Sequence, residues 1–134
     1  MNIDDILDNY NNELKNEINI NKLNLSDHQV KLPSLKHKWA SRYINHKKTI
    51  LKLKSKKKQL IKTLTAKYID NSPVKINLNV AEKAINNSKE VFSIDENIAQ
   101  QELIVEYLER VQNIVNSIQW DIKNLIELEK LELQ

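Results

Sequence analysis

The sequence predicts a mostly α-helical fold built around a long antiparallel hairpin of two helices. Two observations predict this fold class. Apolar residues recur in alternating steps of four and three along two long stretches, which is the spacing of a coiled-coil seam. Only a short connector separates the stretches, so each helix covers the other's apolar face. An N-terminal helix, a short extra helix and at most one short two-strand β-ribbon complete the fold, which at 134 residues is expected to be a single domain.

The first predicted element is a helix over residues 2–17. Its apolar residues recur at helical spacing, and aspartates lie near its start, where the helix dipole favours negative charge. Residues 18–33 alternate briefly and then contain turn formers, so we expect a short strand or extended stretch followed by a loop that ends at Pro33. Ser34 is placed to cap the next helix.

The second predicted helix, over residues 35–69, is strongly basic. At 100° per residue its apolar side chains form one face, whose seam is interrupted by Lys57 and otherwise runs through Trp39, Tyr43, His46, Ile50, Leu53, Leu60 and Leu64. The opposite arc holds Lys47, Lys48, Lys52, Lys54, Lys58 and Lys62. Turn formers in a linker over residues 70–78 end this helix.

The second half of the chain is predicted to hold a short helix over residues 80–90, a brief strand over 91–94 and a long helix over 95–131. Asn79 and Glu82 have the spacing of a capping box, which favours a helix start there. The strand VFSI is β-branched and aromatic, and it would pair with the extended N-terminal stretch. The last helix has its own seam, which runs through Ile104, Leu108, Val111, Val115, Ile118, Ile122 and Leu125.

Apolar side chains outnumber what a single hairpin seam can bury. A helix that is apolar on more than one side needs more than one neighbour, so we expect an oligomer whose subunit contacts supply part of the stability. Core or subunit contacts are assigned to Trp39, Ile44, Leu51, Leu64, Ile118, Trp120 and Ile122.

The composition excludes several classes of site. Without glycine the chain cannot build a phosphate-binding loop of the P-loop or dinucleotide type, and without cysteine it has no thiolate metal site. His28, His37 and His46 are nine residues apart, a spacing that brings no two of them into one metal site on a helix. The sequence therefore predicts no catalytic residue, no metal and no cofactor, and we expect a protein that is not an enzyme.

The distribution of charge gives the main functional clue. Between Lys36 and Lys67 the sequence has twelve lysines and arginines and no acid, whereas both flanks are acidic. Like charges on one helix destabilise it, so we expect an external anion, or acids of another helix, to offset them. A phosphate backbone fits, and lysine favours binding without sequence preference. The predicted DNA contacts are Lys47, Lys48, Lys52, Lys54, Lys57, Lys58, Lys62 and Lys67.

Two alternatives stay open at this point. Polybasic helices also bind membrane surfaces, but they place their apolar face in lipid, and here the hairpin requires that face. The stronger alternative is a structural coiled-coil or scaffold protein whose lysine face is simply solvated. The acidic flanks either meet basic surfaces of partner proteins or balance the lysine helix within an oligomer.

A resemblance to a known family lies in the basic segment KHKWASRYINHKKTILKLKSKKKQLIKTLTAKY. In order and without gaps, it resembles the long helix of the UvsY family, the recombination mediators of T-even-type bacteriophages. That family shows a Lys-Trp pair, two lysine pairs and a Leu-Lys-x-Arg-Leu element closing on tyrosine. The matching positions here are Lys38-Trp39, Lys47-Lys48, Lys57-Lys58, Ile61-Lys62-Thr63-Leu64 and Tyr68. The similarity continues through KEVFSIDENI and IKNLIELEK, so it covers about residues 2–132.

The resemblance implies an accessory protein that forms a closed homo-oligomer of about six or seven subunits and binds single-stranded DNA without sequence preference. It implies partners as well: a phage recombinase and the single-stranded-DNA-binding protein that the recombinase replaces, in the cytoplasm of the infected bacterial host. The family's DNA-binding lysine corresponds to Lys62, whereas Leu64 stands where the family has arginine. Lys54, Lys58 and Lys67 are close enough on the helix to substitute for that missing charge.

Overall fold

Four α-helices make up the fold. The computed structural model describes residues 2–133, and it contains no β-strand among them. The mostly helical class predicted from the sequence is therefore confirmed. The helices are α1 (Ile3–Glu17), α2 (Leu25–Asp70), α3 (Leu78–Asn86) and α4 (Lys89–Glu132).

The chain divides into two compact units. Unit 1 comprises the residues up to Asn45 together with those from Ile104 onward, and unit 2 comprises His46–Leu103. Because α2 and α4 are long, each of them contributes one segment to each unit. Within residues 2–133, every helix is too short or too polar to span a bilayer.

Unit 1 is built from α1, the first part of α2 and the last part of α4. The two long helices run antiparallel there, because Tyr43 bonds to Glu109 while the earlier residue Lys36 bonds to the later residue Gln119. Their seams meet around Trp39, which is fully buried. The core of this unit contains Leu14, Leu25, Leu32, Trp39, Ile104, Leu108, Val111, Val115, Ile118 and Ile122.

Unit 2 is built from the rest of α2, the whole of α3 and the first part of α4. The long helices are again antiparallel, since His46 bonds to Gln101 while the later residue Lys57 bonds to the earlier residue Asp95. Its buried apolar side chains are Ile50, Ala81, Ile85, Val91, Ile94 and Ile98.

The predicted loop over residues 18–33 is wrong in its second half, because α2 begins at Leu25 and continues through Pro33. Leu25 and Leu32 lie two helical turns apart, and both are buried. Burying two leucines contributes roughly 3–6 kcal/mol, which is comparable with or larger than the cost of about 3 kcal/mol for an interior proline. The exposed Pro33 is therefore tolerated, and it does not mark a helix start at residue 35.

The predicted strand over residues 91–94 is also wrong, because α4 begins at Lys89 and not at residue 95. Val91, Ile94 and Ile98 are buried at the three- and four-residue spacing of a helix. Residues 18–20 are not a strand either, so the β-ribbon has no strand to form it among residues 2–133.

The predicted cap of the short helix is displaced by two residues. Asn77 is the N-cap of α3, and its side-chain oxygen accepts a hydrogen bond from the Asn79 N–H at 2.7 Å. Asn79 therefore lies inside α3, and the helix spans Leu78–Asn86 instead of residues 80–90.

Candidate nucleic-acid interface

The segment of α2 in unit 2 presents most of its lysines to solvent. Between His46 and Asp70 it carries nine lysines and a single acid. The inner face of the segment is occupied by apolar side chains such as Ile50, Leu53 and Leu60, so the charged residues point away from the unit's core. The exposed lysines are Lys47, Lys48, Lys52, Lys54, Lys56, Lys58, Lys62 and Lys67.

The two units differ in the sign of their charge. Unit 2 holds twelve basic and six acidic residues, a net charge of +6, whereas unit 1 holds nine basic and twelve acidic residues, a net charge of −3. The overall charge of +3 is thus the sum of a strongly positive unit 2, whose net charge favours polyanions, and a negative unit 1.

Three of the lysines form a continuous ridge. Lys54, Lys58 and Lys62 follow one another at intervals of four residues, so they lie on neighbouring turns about 6 Å apart along the axis. Among the described residues, no acid forms an ion pair with any of the three. Like charges at this spacing repel each other, and an anion bound along the ridge would relieve that repulsion.

Lys57 differs from the other predicted contacts, because it already has an acidic partner. Its Nζ lies 2.7 Å from Asp95 Oδ1 of α4, and its side chain is only 33% exposed. The charge of Lys57 is therefore offset within unit 2. Its position in line with the predicted seam turns it towards α4, which carries Asp95.

Two basic residues that precede this segment, Lys38 and Arg42, are neutralised by α1. Lys38 Nζ donates to Glu13 Oε1 and to Glu17 Oε2, both at 2.8 Å. Arg42 donates to Glu13 Oε2 at 2.7 Å, and the Trp39 indole N–H donates to Glu17 at 3.4 Å. Lys38 and Arg42 are thus bound within unit 1, and the candidate interface begins after Arg42.

The carboxylate of Glu13 responds to this surrounding of cations. The hydrogen bond from Arg42 is the largest influence and lowers the pKa of Glu13 below its ordinary value. Partial burial raises the pKa and so acts in the opposite direction, while Lys38 adds to the lowering. Sequence reasoning missed this cluster, although Glu13 and Glu17 share the four-residue spacing of Lys38 and Arg42.

Few aromatic rings of α2 are available to stack on bases. Trp39 is fully buried, and the half-buried Tyr43 donates its hydroxyl to Glu109 at 3.2 Å. Tyr68 is 41% exposed and directly follows Lys67 at the end of α2. Tyr68 is therefore the aromatic side chain of this segment best placed to meet a base.

The predicted core or subunit contacts fall into two groups. Ile118 and Ile122 are buried with Trp39 in unit 1, and Leu64 is half-buried on the inner side of unit 2. The others point to solvent with large exposed fractions: Ile44 at 47%, Leu51 at 68% and Trp120 at 63%. Within residues 2–133, no group of three or more histidines and acids is arranged to hold a metal ion.

Comparison with known proteins gives one family match. The sequence profile of the family described as "Recombination, repair and ssDNA binding protein UvsY" matches residues 13–133. No curated protein sequence matches this chain.

Solved structures of one protein share the fold. A crystal structure of the bacteriophage T4 recombination mediator protein UvsY in lattice type IV is similar with a TM-score of 0.79 and 18% sequence identity, covering 94% of this chain and 98% of that chain. Lattice type II of the same protein gives a TM-score of 0.77 at 18% identity over 96% and 98% of the two chains. Lattice type I gives 0.75 at 18% identity over 91% and 97%. At this identity the likeness establishes the arrangement of helices.

Proposed function

This chain belongs to the UvsY family, and from that premise we propose that it is a recombination mediator whose unit 2 binds single-stranded DNA without sequence preference. Family membership confirms the resemblance found in the basic segment of the sequence. The observation that carries the proposal is the ridge of Lys54, Lys58 and Lys62, which is exposed and has no acidic partner among the described residues.

The chemistry of the ridge supports binding to phosphates and not to base edges. Each lysine that neutralises a phosphate releases a condensed counterion, which strengthens binding at low salt. Lysine contributes a point charge, whereas reading of bases uses the planar fork of arginine or an amide side chain. Lys67 and the exposed Tyr68 would extend the contact at the end of α2, and Lys47, Lys48 and Lys52 are candidates at its other end.

The mediator role rests on avidity between copies. One helix that neutralises a few phosphates binds weakly, but a homo-oligomer presents several ridges and makes every later contact intramolecular. A strand held along such an assembly would be displaced from a single-stranded-DNA-binding protein and made available to a phage recombinase. We place this activity in the cytoplasm of the infected bacterium, and we assign no catalytic step to the chain.

A salt series of DNA binding tests the proposal. Labelled single-stranded oligonucleotides are titrated with the wild type, with the triple variant Lys54→Ala, Lys58→Ala, Lys62→Ala, and with a matched control, Lys75→Ala, Lys83→Ala, Lys89→Ala. Both variants remove three exposed lysines from unit 2. For the ridge variant, the loss of three phosphate contacts makes the slope of log affinity against log salt shallower by about 2.

The outcomes separate the mediator from a structural scaffold. We expect the control variant to keep the wild-type slope, and the wild type to prefer single strands over duplexes. An equal loss in both variants would mean that net charge alone, and not the ridge, holds the DNA. A wild type that binds no oligonucleotide in dilute buffer would instead support the scaffold with a solvated lysine face.

A further inference from the structure

A cavity of about 520 Å³ lies in unit 2 at the C-terminal end of α2, and we call it the α2 C-terminal cavity. Its volume is within the range of small-molecule sites, roughly 300–1,000 Å³. Three parts of the unit supply apolar side chains to its walls: Leu64 belongs to α2, Ile76 to the linker and Ile85 to α3. The polar side chains that line it are those of Lys67, Tyr68, Asn71, Ser72 and Glu90.

Hydrogen bonds fix the wall that the linker forms. The Asn71 N–H donates to the Lys67 carbonyl at 3.0 Å, which continues the helical turn past the end of α2. The Ser72 N–H donates to the Ile69 carbonyl at 3.3 Å. The Ser72 hydroxyl in turn donates to the Val74 carbonyl at 2.7 Å. Because this wall is held by its own backbone, a ligand can bind without first ordering it, and little affinity is lost to that cost.

Tyr68 joins the cavity to the lysine ridge of the same unit. Its side chain lines the cavity and is also exposed. At about 100° per residue, Leu64 lies about 40° to one side of Tyr68 on the helix, and Lys58 of the ridge lies about 80° to its other side. Lys62 precedes Tyr68 by six residues, about 9 Å along the helix axis. The ring is therefore within reach of a strand whose phosphates lie on the ridge.

The charges around the cavity disfavour a phosphate inside it. The last carbonyl groups of a helix carry partial negative charge, and the cavity lies at that end of α2. Glu90 adds a carboxylate to the lining and opposes the charge of Lys67. Nucleobases are planar and uncharged at neutral pH. They fit apolar walls with balanced polar groups better than an anion does.

We propose that the α2 C-terminal cavity takes one unpaired base of the single strand whose phosphates lie on the ridge. The base stacks on the ring of Tyr68, while the exposed Lys67 is available to the phosphate of the same nucleotide. Stacking tolerates any sequence, because every base has a π-face.

This inference rests on the proposed function and deepens it by giving a source for the preference for single strands. The ridge neutralises phosphates, which duplexes and single strands both carry. The bases of a duplex are paired and stacked on each other, so none of them is free to enter the cavity.

Strands without bases separate the cavity from the ridge. A short single strand made only of abasic sites is compared with the same strand carrying one 2-aminopurine, a fluorescent base, at its centre. Affinities are measured by competition with a labelled oligonucleotide across a salt series. Both strands carry the same phosphates, so the ridge contributes equally to them. We expect the base to raise the affinity of the wild type roughly fivefold or more, with no change in the slope against log salt.

Variants at Tyr68 test the stacking partner. Tyr68→Leu keeps an apolar side chain but removes the ring, so most of the gain from the base should be lost, whereas Tyr68→Phe should retain the gain. Phe92→Leu is the matched control, because it removes a ring that is 69% exposed in unit 2 and that does not line the cavity. This control should keep the gain of the wild type.

Quenching of the 2-aminopurine fluorescence by acrylamide shows where the base lies. A base inside the cavity is shielded from the quencher, whereas a base that stacks only on the outer side of Tyr68 stays accessible. We expect the bound base to be shielded in the wild type and to become accessible in Tyr68→Leu.

The outcomes distinguish this site from the DNA proposal. If the wild type binds both strands equally, with the salt dependence of the ridge, the base site is overturned and the DNA proposal stands. A gain that survives in Tyr68→Leu, or that falls equally in Phe92→Leu, overturns Tyr68 as the stacking residue. A bound base that acrylamide quenches freely overturns the cavity as its position. A wild type that binds no oligonucleotide in dilute buffer overturns the proposed function and this site with it.

Discussion

Tyr10 and Trp39 meet edge to face, with ring centroids 5.7 Å apart and ring planes at 84°. The guanidinium of Arg42 lies over both rings, 4.9 Å from the Tyr10 centroid and 4.7 Å from the Trp39 centroid. This stack joins α1 to α2 in unit 1, where Trp39 is fully buried. The part of α2 that belongs to unit 1 is therefore held by an aromatic and cationic cluster and not only by its seam.

Replacing Tyr10 by leucine tests the stack. Leu keeps an apolar side chain at this position but removes the aromatic pair and the contact with Arg42. We expect the free energy of unfolding to fall by about 1 kcal/mol, as for aromatic pairs in general. Urea denaturation measures the change. Tyr68→Leu is the matched control, because Tyr68 is 41% exposed, and it should stay within about 0.5 kcal/mol of the wild type. Equal losses in both variants would contradict a special role for the stack.

The pH dependence of stability should report the cluster around Glu13. Arg42 and Lys38 hold the pKa of Glu13 below its ordinary value in the folded protein, so unfolding raises that pKa. The unfolded state then binds more protons, and the stabilisation is fully present above the unfolded-state pKa. It is lost as the pH falls below about 5 and through the folded-state pKa.

Glu13→Gln isolates this contribution, because glutamine cannot titrate. We expect the variant to be less stable than the wild type at neutral pH and the difference to shrink as the solution is acidified, as measured by urea midpoints between neutral and acid pH. Glu102→Gln makes the same change at an exposed glutamate of α4. The stability of this variant should differ little from that of the wild type at every pH. A Glu13→Gln penalty that stays constant with pH would rule out the proposed linkage.

The periodic parts of the sequence predicted the fold well. The seams around Trp39 and Ile118 are buried as expected, because apolar residues spaced three and four apart fall on one face of a helix. Local signals failed where tertiary burial outweighed them. Pro33 suggested a boundary, but Leu32 before it and Trp39 after it are both buried and lie two turns apart on one face, which a continuous helix provides.

The candidate interface was predicted only in part. The helical arc placed Lys54, Lys58 and Lys62 opposite the apolar face of α2. Because the apolar face packs against the rest of the unit, these lysines were predicted to be exposed, as they are. The acids that neutralise Lys38 belong to a different helix, so its pairing follows from the packing of α1 and not from local spacing. Lys57 is paired with Asp95 for the same reason.

A buried hydroxyl in unit 2 offers a route to higher stability. Thr65 is 5% exposed, and its Oγ1 has no hydrogen-bond partner among the described residues. Valine has nearly the same shape without the polar atom, and threonine and valine have similar helix propensities. We expect Thr65→Val to raise the free energy of unfolding by about 1 kcal/mol, as measured by urea denaturation. Thr63→Val, at an exposed position on the same helix, should change it by less than about 0.5 kcal/mol. A destabilised Thr65→Val protein would indicate that the hydroxyl is satisfied in solution.

Extending the lysine ridge should strengthen DNA binding at one position and not at a near neighbour. Ala66 is exposed and lies four residues after Lys62, so Ala66→Lys adds a fourth lysine to the ridge. Leu64→Arg supplies the arginine that the family has at this position, but Leu64 is half-buried on the inner side of unit 2, where it lines one pocket with Ile85. We expect Ala66→Lys to steepen the salt dependence of single-strand binding by about 0.7, the value of one phosphate contact.

Leu64→Arg should leave that slope unchanged and lower the free energy of unfolding by about 1–3 kcal/mol, because a charged group would enter an apolar site. Ala84→Lys on α3 adds the same charge to unit 2 away from the ridge, so a slope that rises equally in this variant would show that the position of the lysine is irrelevant.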